Sequence, residues 1–241
     1  MSLLICCTLL MTAPNSTSPT QASQEPARVT QARLHVQEDL AEHFGKAVFL
    51  RIFKEERLLE LWLQDEDGDW ECFRTYPIAG MSGTLGPKTK QGDKQAPEGF
   101  YHATAKSLNP HSKYHLAFNV GYPNSYDRAK GRTGGEIMVH GNNKSAGCFA
   151  MTDEKIEEIY TLVNEAFRAG VAEIPIQIYP FAMTPERMEQ ETANPHYAFW
   201  QLLLPGYRYT EEKEAPFPRA LFEESCGNEQ KKACTEAEDS L

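Results

Sequence analysis

The sequence of 241 residues lacks several features that would place it in a specialised class of protein. No apolar run reaches the roughly 18–20 residues that a membrane-spanning helix needs, so we expect no transmembrane segment. Basic side chains are in the minority, with 24 Lys plus Arg against 34 Asp plus Glu. The net charge of −10 argues against a nucleic-acid partner, because phosphate binding requires a basic surface. No internal repeat is visible, and the length favours one main domain.

Charge is absent altogether from the first 23 residues. Leu3 to Met11 form an apolar stretch as long as the core of a secretory signal, and a Ser-, Thr- and Pro-rich segment with a small residue at Ala22 follows it. The basic residues that usually precede such a core are missing. We interpret residues 1–22 as a possible signal peptide and predict export, with an intracellular thiol enzyme as the alternative.

The C-terminal end of the chain is acidic. Residues 211–241 hold nine acidic and four basic side chains, so half of the net charge lies there. Such a composition is typical of a disordered segment, and we predict that residues 206–241 form a flexible tail that chemistry does not need. The tail contains Cys226 and Cys234, and the sequence leaves open whether they pair.

Hydrophobic patterning divides the rest of the chain into short strands and a few helices. A helical pattern over 28–44 predicts a short leading helix within a 23–45 linker segment. Runs of β-forming residues predict strands over 47–53, 58–63, 70–78, 100–105, 115–120 and 174–179. Helices are predicted over 153–169, 186–192 and 196–204, the first with Thr152 as its cap and Gly170 at its end. The expected fold is mostly β with helices, an α+β domain over residues 46–205 built as an antiparallel barrel or sandwich with helical decoration.

Two features that could suggest a metal site do not fit one. The acidic run 65–69 lacks the glycine and the bidentate Glu of a calcium-binding loop and is interpreted as a turn between strands. Three imidazoles have no recognisable ligand spacing: His102, His111 and His115. We therefore predict neither a metal nor a cofactor.

Cys148 is the cysteine whose surroundings suit chemistry. An apolar strand end leads into His140 and Gly141, a polar turn follows, and Gly147 precedes the cysteine four residues before a helix start. A free thiol has a pKa of about 8.5 and is a poor nucleophile until an imidazole or a helix N-terminus favours its thiolate. His140 can fold back across the turn, and the glycines let backbone N–H groups approach a reacting carbonyl. The alternative is a buried core cysteine near a turn histidine.

These residues resemble the active-site signature of the L,D-transpeptidases, the YkuD-type cysteine acyltransferases that act on the peptide stems of bacterial peptidoglycan. The signature blocks are Ile137–Gly141 and Ser145–Met151. Further blocks in the same order extend the likeness to the YafK-like subgroup over residues 45–205: Gly86–Lys88, Gly92–Asp93, Ala96–Tyr101, Phe118–Asn124, Tyr126–Arg128, Gly131–Gly134, Thr152–Asp153 and Ile159–Tyr160. The resemblance implies a YkuD-like fold.

The resemblance also implies a role for each residue of the signature. Cys148 would be the nucleophile and His140 the base, and the carbonyl of Gly141 would orient the imidazole ring. Ser145 and Gly147 match the turn around the oxyanion, to which the N–H of Cys148 would also contribute.

The implied substrate is the peptidoglycan stem peptide, whose carboxylates need cationic partners. Arg132 is favoured because a guanidinium can engage both oxygens of a carboxylate. The other predicted substrate contacts are Arg128, Tyr122 and Lys144. Many family members have a His before the Gly–Cys pair and an Arg two residues after it, where this chain has Ala146 and Ala150. These departures leave the substrate pose open.

The implied function is periplasmic acyl transfer through a thioester on Cys148. Breakdown of the thioester by an amine gives transpeptidation. Breakdown by water gives hydrolysis, as in an LD-carboxypeptidase or an amidase that releases a wall-linked lipoprotein, and the sequence leaves this choice open. A non-catalytic wall-binding module is a further alternative, which loss of Cys148 or His140 would indicate; both residues are present.

Overall fold

The computed structural model of the chain describes residues 25–222. The predicted signal peptide, most of the acidic tail, and the cysteines at positions 6, 7, 226 and 234 lie outside these residues. The strands are β1 (Val48–Phe53), β2 (Leu58–Gln64), β3 (Trp70–Pro77), β4 (Gly99–Ala103), β5 (Leu108–Asn109), β6 (Ala117–Asn119), β7 (Met138–His140), β8 (Phe149–Ala150) and β9 (Ile174–Tyr179). The α-helices are α1 (Ala27–Leu40), α2 (Ser125–Ala129), α3 (Asp153–Arg168), α4 (Pro185–Gln190) and α5 (Tyr197–Lys213).

The strands form two sheets, which confirms the α+β prediction. The larger sheet has the order β3-β2-β1-β9-β4, and the smaller one has the order β5-β6-β7-β8. Most neighbours are antiparallel as expected, but β1 pairs with β9 and β7 pairs with β8 in parallel. Local patterning could not indicate these two pairs, because strand direction is decided by how the intervening chain returns. For β7 and β8 the returning segment is the Cys148 turn.

The leading helix α1 packs onto the domain. Val29, Ala32, Val36 and Leu40 are buried along one side of α1 and belong to the main hydrophobic cluster together with residues of α3. Arg33 on the rim of this contact pairs with Glu165 at 3.0 Å. The 23–45 segment is therefore integral to the domain from residue 27 onward.

Helix α3 ends as the sequence predicts but begins differently. Gly170 has a φ of +99°, and the N–H of Val171 donates to the carbonyl of Ala166, a pattern that terminates helices with glycine. The Thr152 side chain, predicted to cap the N-terminus, makes no capping hydrogen bond, and its φ is +80°. The prediction of a Thr152 cap was wrong, because the backbone conformation at this position serves the adjoining turn.

The C-terminal helix extends past the predicted boundary between residues 205 and 206. The helix predicted over 196–204 ends before Pro205 and Gly206, yet α5 continues through both to Lys213, with Tyr207 buried. A Cβ at Gly206 would lie 2.4 Å from the ring of Phe100, so the glycine permits close approach of the helix to the sheet. Phe222, only 2% exposed, joins the same cluster. The domain therefore includes residues that the sequence assigned to a flexible tail.

Within residues 25–222, no helix combines the length and apolarity needed to cross a bilayer.

Candidate active site

The structure places His140 and Cys148 in the lining of one cavity of about 480 Å³. His140 is the last residue of β7, and Cys148 immediately precedes β8, which runs parallel to β7. Because β7 and β8 are parallel, residues 141–148 must return the chain along the two strands. This return brings the side chains of His140 and Cys148 into the same cavity. Residues that the sequence did not single out also line the cavity, among them Lys113, Tyr114 and Glu136.

The His140 ring is held in one orientation. It is 3% exposed, its Nδ1 lies 2.6 Å from the carbonyl oxygen of Gly141, and the Tyr114 ring stacks on it with centroids 4.8 Å apart. A carbonyl oxygen can only accept a hydrogen bond, so Nδ1 carries the ring proton and donates a hydrogen bond to the Gly141 carbonyl. The lone pair of the ring is then on Nε2. Burial lowers the pKa of His140, and the Gly141 hydrogen bond opposes this only in part. The imidazole is therefore neutral at pH 7 and able to accept a proton.

The Cys148 thiol is held by the segment that leads into β7. Its Sγ accepts from the backbone N–H of Met138 at 3.4 Å and donates to the carbonyl of Glu136 at 3.5 Å. Burial raises the pKa of Cys148, while the Met138 N–H and the positive charge of Lys88 act to lower it. At rest the cavity therefore contains a neutral thiol and a neutral imidazole rather than a thiolate–imidazolium pair.

The turn that carries Cys148 depends on glycine. Gly147 has a φ of +100°, and a Cβ there would lie 3.2 Å from the carbonyl oxygen of Gln95. A Cβ at Gly141 would lie 2.6 Å from Oδ1 of Asp153. The Ser145 hydroxyl donates to the carbonyl of Cys148 at 2.6 Å and so closes the turn on itself. Larger residues at either glycine would force the turn to move.

Asp153 ties this turn to helix α3, a role that sequence reasoning missed. Its Oδ1 accepts from the backbone N–H of Asn142 at 2.7 Å, and the N–H of Thr152 donates to the carbonyl of Asn142 at 2.9 Å. Asn142 and Thr152 both have positive φ, at 63° and 80°. Such conformations cost free energy in non-glycine residues and cluster at functional sites. The acid at the helix start was visible in the sequence, but its partner across the turn was not.

The long loop between β3 and β4 forms a wall against β8. Gly80 makes an isolated bridge to Ala150, which fixes one end of the loop. At the other end the buried Lys54 ammonium donates to Glu98 at 2.8 Å and to the carbonyl of Gly86 at 2.8 Å. Trp200 donates to the second oxygen of Glu98 at 2.8 Å. The loop is thus fastened by a buried polar cluster.

None of the four predicted substrate-contact residues is among the described residues that line the cavity. Arg132 donates to the buried Asp127 at 2.7 Å, and its guanidinium lies over the ring of Phe199 at 4.7 Å. Arg128 donates to the carbonyl of Pro123. Tyr122 is buried and donates to backbone carbonyls of the neighbouring loops. Lys144 is exposed on the turn before Ser145.

Comparison with known proteins identifies the family. The family model of the YkuD L,D-transpeptidase catalytic domain matches residues 49–196, and the chain belongs to this family. Two curated proteins, from Escherichia coli K12 and O157:H7 and both named "Putative L,D-transpeptidase YafK", are each 42% identical over 172 residues, which is 71% of this chain and 70% of theirs. The family and subgroup predicted from the sequence are therefore confirmed.

Solved structures show more distant likeness. The helical cell shape determining protein Pgp2 of Campylobacter jejuni is 24% identical with a TM-score of 0.44, over 61% of this chain and 56% of that one. L,D-transpeptidase 1 of Mycobacterium tuberculosis is 17% identical with a TM-score of 0.30, over 55% of this chain and 62% of that one. The chain thus spans less than two thirds of either structure.

Proposed function

We propose that the protein is a periplasmic cysteine acyltransferase that modifies peptidoglycan through a thioester on Cys148. The observation that carries this proposal is the shared cavity of Cys148 and His140, with the His140 tautomer fixed by Gly141 so that Nε2 is the basic nitrogen. Membership of the L,D-transpeptidase family supplies the substrate class, the stem peptide. Both chemical groups are present, which disfavours a purely wall-binding role.

In the first half of the proposed reaction, Sγ of Cys148 attacks a stem-peptide carbonyl while its proton passes to Nε2 of His140. The carbonyl oxygen becomes an oxyanion, for which the backbone N–H groups at Gly147 and Cys148 are the proposed donors. When the C–N bond breaks, the leaving amine takes the proton from His140, and a thioester remains. Because both groups begin neutral, proton transfer accompanies attack rather than preceding it.

In the second half, an amine or water attacks the thioester and His140 again accepts its proton. An amine acceptor forms a new peptide bond, and the proton passes to the Cys148 sulfur as the thiol leaves. Water gives a free acid, as in carboxypeptidase trimming or release of a wall-linked lipoprotein. The description of the family favours transpeptidation. Which product forms depends on whether an acceptor amine or water reaches the thioester.

The function is tested by incubation of the purified protein with defined muropeptides, with and without an added acceptor amine, followed by mass spectrometry. Transpeptidation gives products whose mass includes the acceptor, while hydrolysis gives shortened stems in both samples. Muropeptides recovered unchanged under both conditions would contradict the proposal.

A first prediction concerns the resting state of the thiol. Because burial raises the pKa of Cys148 and lowers that of His140, we expect no ion pair between them at neutral pH. The rate of iodoacetamide alkylation, followed on the peptide that contains Cys148, should rise about tenfold per unit from pH 6 to about pH 9, because only the thiolate reacts. A rate that is flat across neutral pH would reveal a thiolate–imidazolium pair and contradict this prediction.

A second prediction concerns Arg132. Its removal leaves Asp127, which is 1% exposed, without its cationic partner. We expect Arg132→Ala to lower the free energy of unfolding by about 3–5 kcal/mol, measured by denaturant titration. Arg128→Ala, a change at a more exposed guanidinium four residues earlier in the chain, is the control and should cost about 1 kcal/mol or less. Equal stability of the two variants would contradict the assignment.

The recognition of a substrate carboxylate by Arg132 stays a prediction from the sequence. It is measured in Arg132→Lys at a temperature where that variant is folded. An increase in KM with kcat preserved would support it, because such a change reports binding that is equal in the ground and transition states.

A further inference from the structure

Residues 88–95 form a loop, named here the 88–95 loop. On one side, this loop contacts the segment before β7 whose backbone binds the Cys148 thiol. The N–H of Thr133 donates to the carbonyl of Thr89 at 3.1 Å. A Cβ at Gly134 would lie 3.3 Å from Cε of Lys88, so the Lys88 side chain packs directly on this backbone. Two residues further on, Glu136 provides the carbonyl that accepts from the thiol. The position of Lys88 is therefore coupled by contact to the thiol's acceptor.

The same loop contacts the Cys148 turn from the other side. The closest heavy atom to a Cβ built at Gly147 is the carbonyl oxygen of Gln95, at 3.2 Å. Gly147 and Cys148 are the residues whose N–H groups are the proposed oxyanion donors. The loop thus touches both pieces of backbone that define where Cys148 and its oxyanion donors lie.

The Asp93 carboxylate accepts hydrogen bonds from several residues of the 88–95 loop. Its Oδ2 accepts from the N–H groups of Thr89 at 2.9 Å and Lys90 at 3.0 Å, and its Oδ1 accepts from the N–H of Gln95 at 3.1 Å and from Nζ of Lys88 at 2.5 Å. The side chains of Lys88 and Asp93 are only 5% and 12% exposed. Exposed ion pairs contribute little, but this one is shielded and also satisfies three backbone donors. Burial alone would raise the pKa of Asp93, but these hydrogen bonds hold it well below its usual range.

We propose that the Lys88–Asp93 ion pair is a positioning element for the nucleophile: it fixes the 88–95 loop, and through it the Glu136 carbonyl and the Gly147–Cys148 backbone. Neither residue touches the reacting atoms in this assignment. The inference rests on the proposed function, because it assigns a purpose to the surroundings of Cys148. Lys88 also acts on the thiol by its charge, which favours the thiolate.

The experiment compares four variants in the full chain: Asp93→Asn, Lys88→Met, Lys88→Arg and Glu191→Gln. Glu191 is the matched control, because its carboxylate likewise pairs with a cation, Arg187 at 2.5 Å, and accepts from the Asn194 amide, but it lies at the end of α4. Each variant is measured for melting temperature, for kcat and KM on one muropeptide, and for alkylation of the Cys148 peptide by iodoacetamide between pH 6 and 9 at 25 °C.

Asp93→Asn should lower kcat at least about tenfold with a smaller change in KM, because misplacement of reacting groups costs rate rather than binding. Lys88→Met should slow alkylation at pH 7.5 about threefold or more, whereas Lys88→Arg, which keeps the charge, should change it by less than about twofold. Glu191→Gln should leave all three measurements close to those of the parent.

A merely structural ion pair would lower the melting temperature of Asp93→Asn and Lys88→Met but leave kcat and alkylation of the folded protein unchanged, and that result overturns the proposal. Should Asp93→Asn fail to fold, Lys88→Met decides the matter, with a kcat equal to that of the parent overturning the proposal. Alkylation needs no substrate. A parent without turnover would therefore contradict the proposed function, while the alkylation of Asp93→Asn, which keeps the Lys88 charge, would still test the positioning role.

Discussion

Replacement of Cys148 by alanine should abolish conversion of muropeptides while leaving the protein folded. In the proposed mechanism the thiol forms the thioester, and Cys148 is the only cysteine among the described residues that line this cavity. In enzymes with a covalent intermediate, removal of the nucleophile costs at least about 10⁴-fold in kcat. The fold should survive because the Sγ makes only two weak hydrogen bonds, and the cost should be about 1 kcal/mol.

Cys72→Ala is the matched control for this prediction. Cys72 is an exposed residue of β3, and partial burial of its thiol raises its pKa, as in Cys148. It therefore matches Cys148 in chemistry but does not line the cavity. Turnover by Cys72→Ala should equal that of the parent. Acid-quenched reactions of the parent and of Cys72→Ala should also show a covalent adduct by intact mass, and those of Cys148→Ala should show none. Conversion by Cys148→Ala at the parent rate would remove the thioester mechanism altogether.

The sequence predicted that His140 and Cys148 lie together, for a reason that can be traced to their spacing. A short strand, a glycine-bordered turn and a helix start leave few ways to arrange His140 and Cys148, and the structure brings them to one cavity. The same reading predicted the Gly170 helix end, because that signal is local. What it missed is non-local: Asp153 reaches back to Asn142, and Tyr114 stacks on His140 from 26 positions earlier in the chain.

The C-terminal boundary was misplaced for a similar reason. Pro205 and Gly206 are local signals for a helix end, and the acidic residues after them resemble a solvated segment. The deciding contacts come from the sheet. Arg51, which is buried on β1, donates to Glu211 at 2.7 Å, so an acidic residue assigned to the tail serves as the partner of a core guanidinium. Composition cannot distinguish an acidic side chain with such a partner from one in solvent.

The role of Arg132 as a substrate contact stays a prediction from the sequence. Arg132 was chosen for its glycine-flanked loop and its chemistry, and that chemistry is correct for a carboxylate. The structure supplies one from its own chain, Asp127, which also accepts from the Tyr101 hydroxyl at 3.0 Å. A guanidinium that pairs internally and one that awaits a ligand have the same signature in sequence. The cavity itself is lined by two other charged residues, Lys113 and Glu136.

Replacement of His140 by alanine should lower kcat/KM by about 10²–10⁴-fold, the usual contribution of a positioned acid–base group. The size of this effect follows from the resting state of the site. Since burial keeps the Cys148 thiol protonated, attack requires a base to remove its proton, and the free nitrogen of His140 lies in the same cavity as the thiol. His102→Ala is the control, because this imidazole on β4 lies outside the residues that line the cavity and should leave the rate unchanged.

The pH dependence separates a base from a residue that only fills space. Burial lowers the pKa of His140 below the usual 6.5, so kcat/KM of the parent should fall to half of its plateau value at a pH below 6.5, as the imidazole becomes charged. In His140→Ala this acid limb should vanish. Its residual rate should instead climb about tenfold per pH unit toward pH 9, as the thiolate forms without help. An acid limb that persists unchanged in His140→Ala would assign the base to another group, and steady-state rates between pH 5 and 9 on one muropeptide are sufficient to decide.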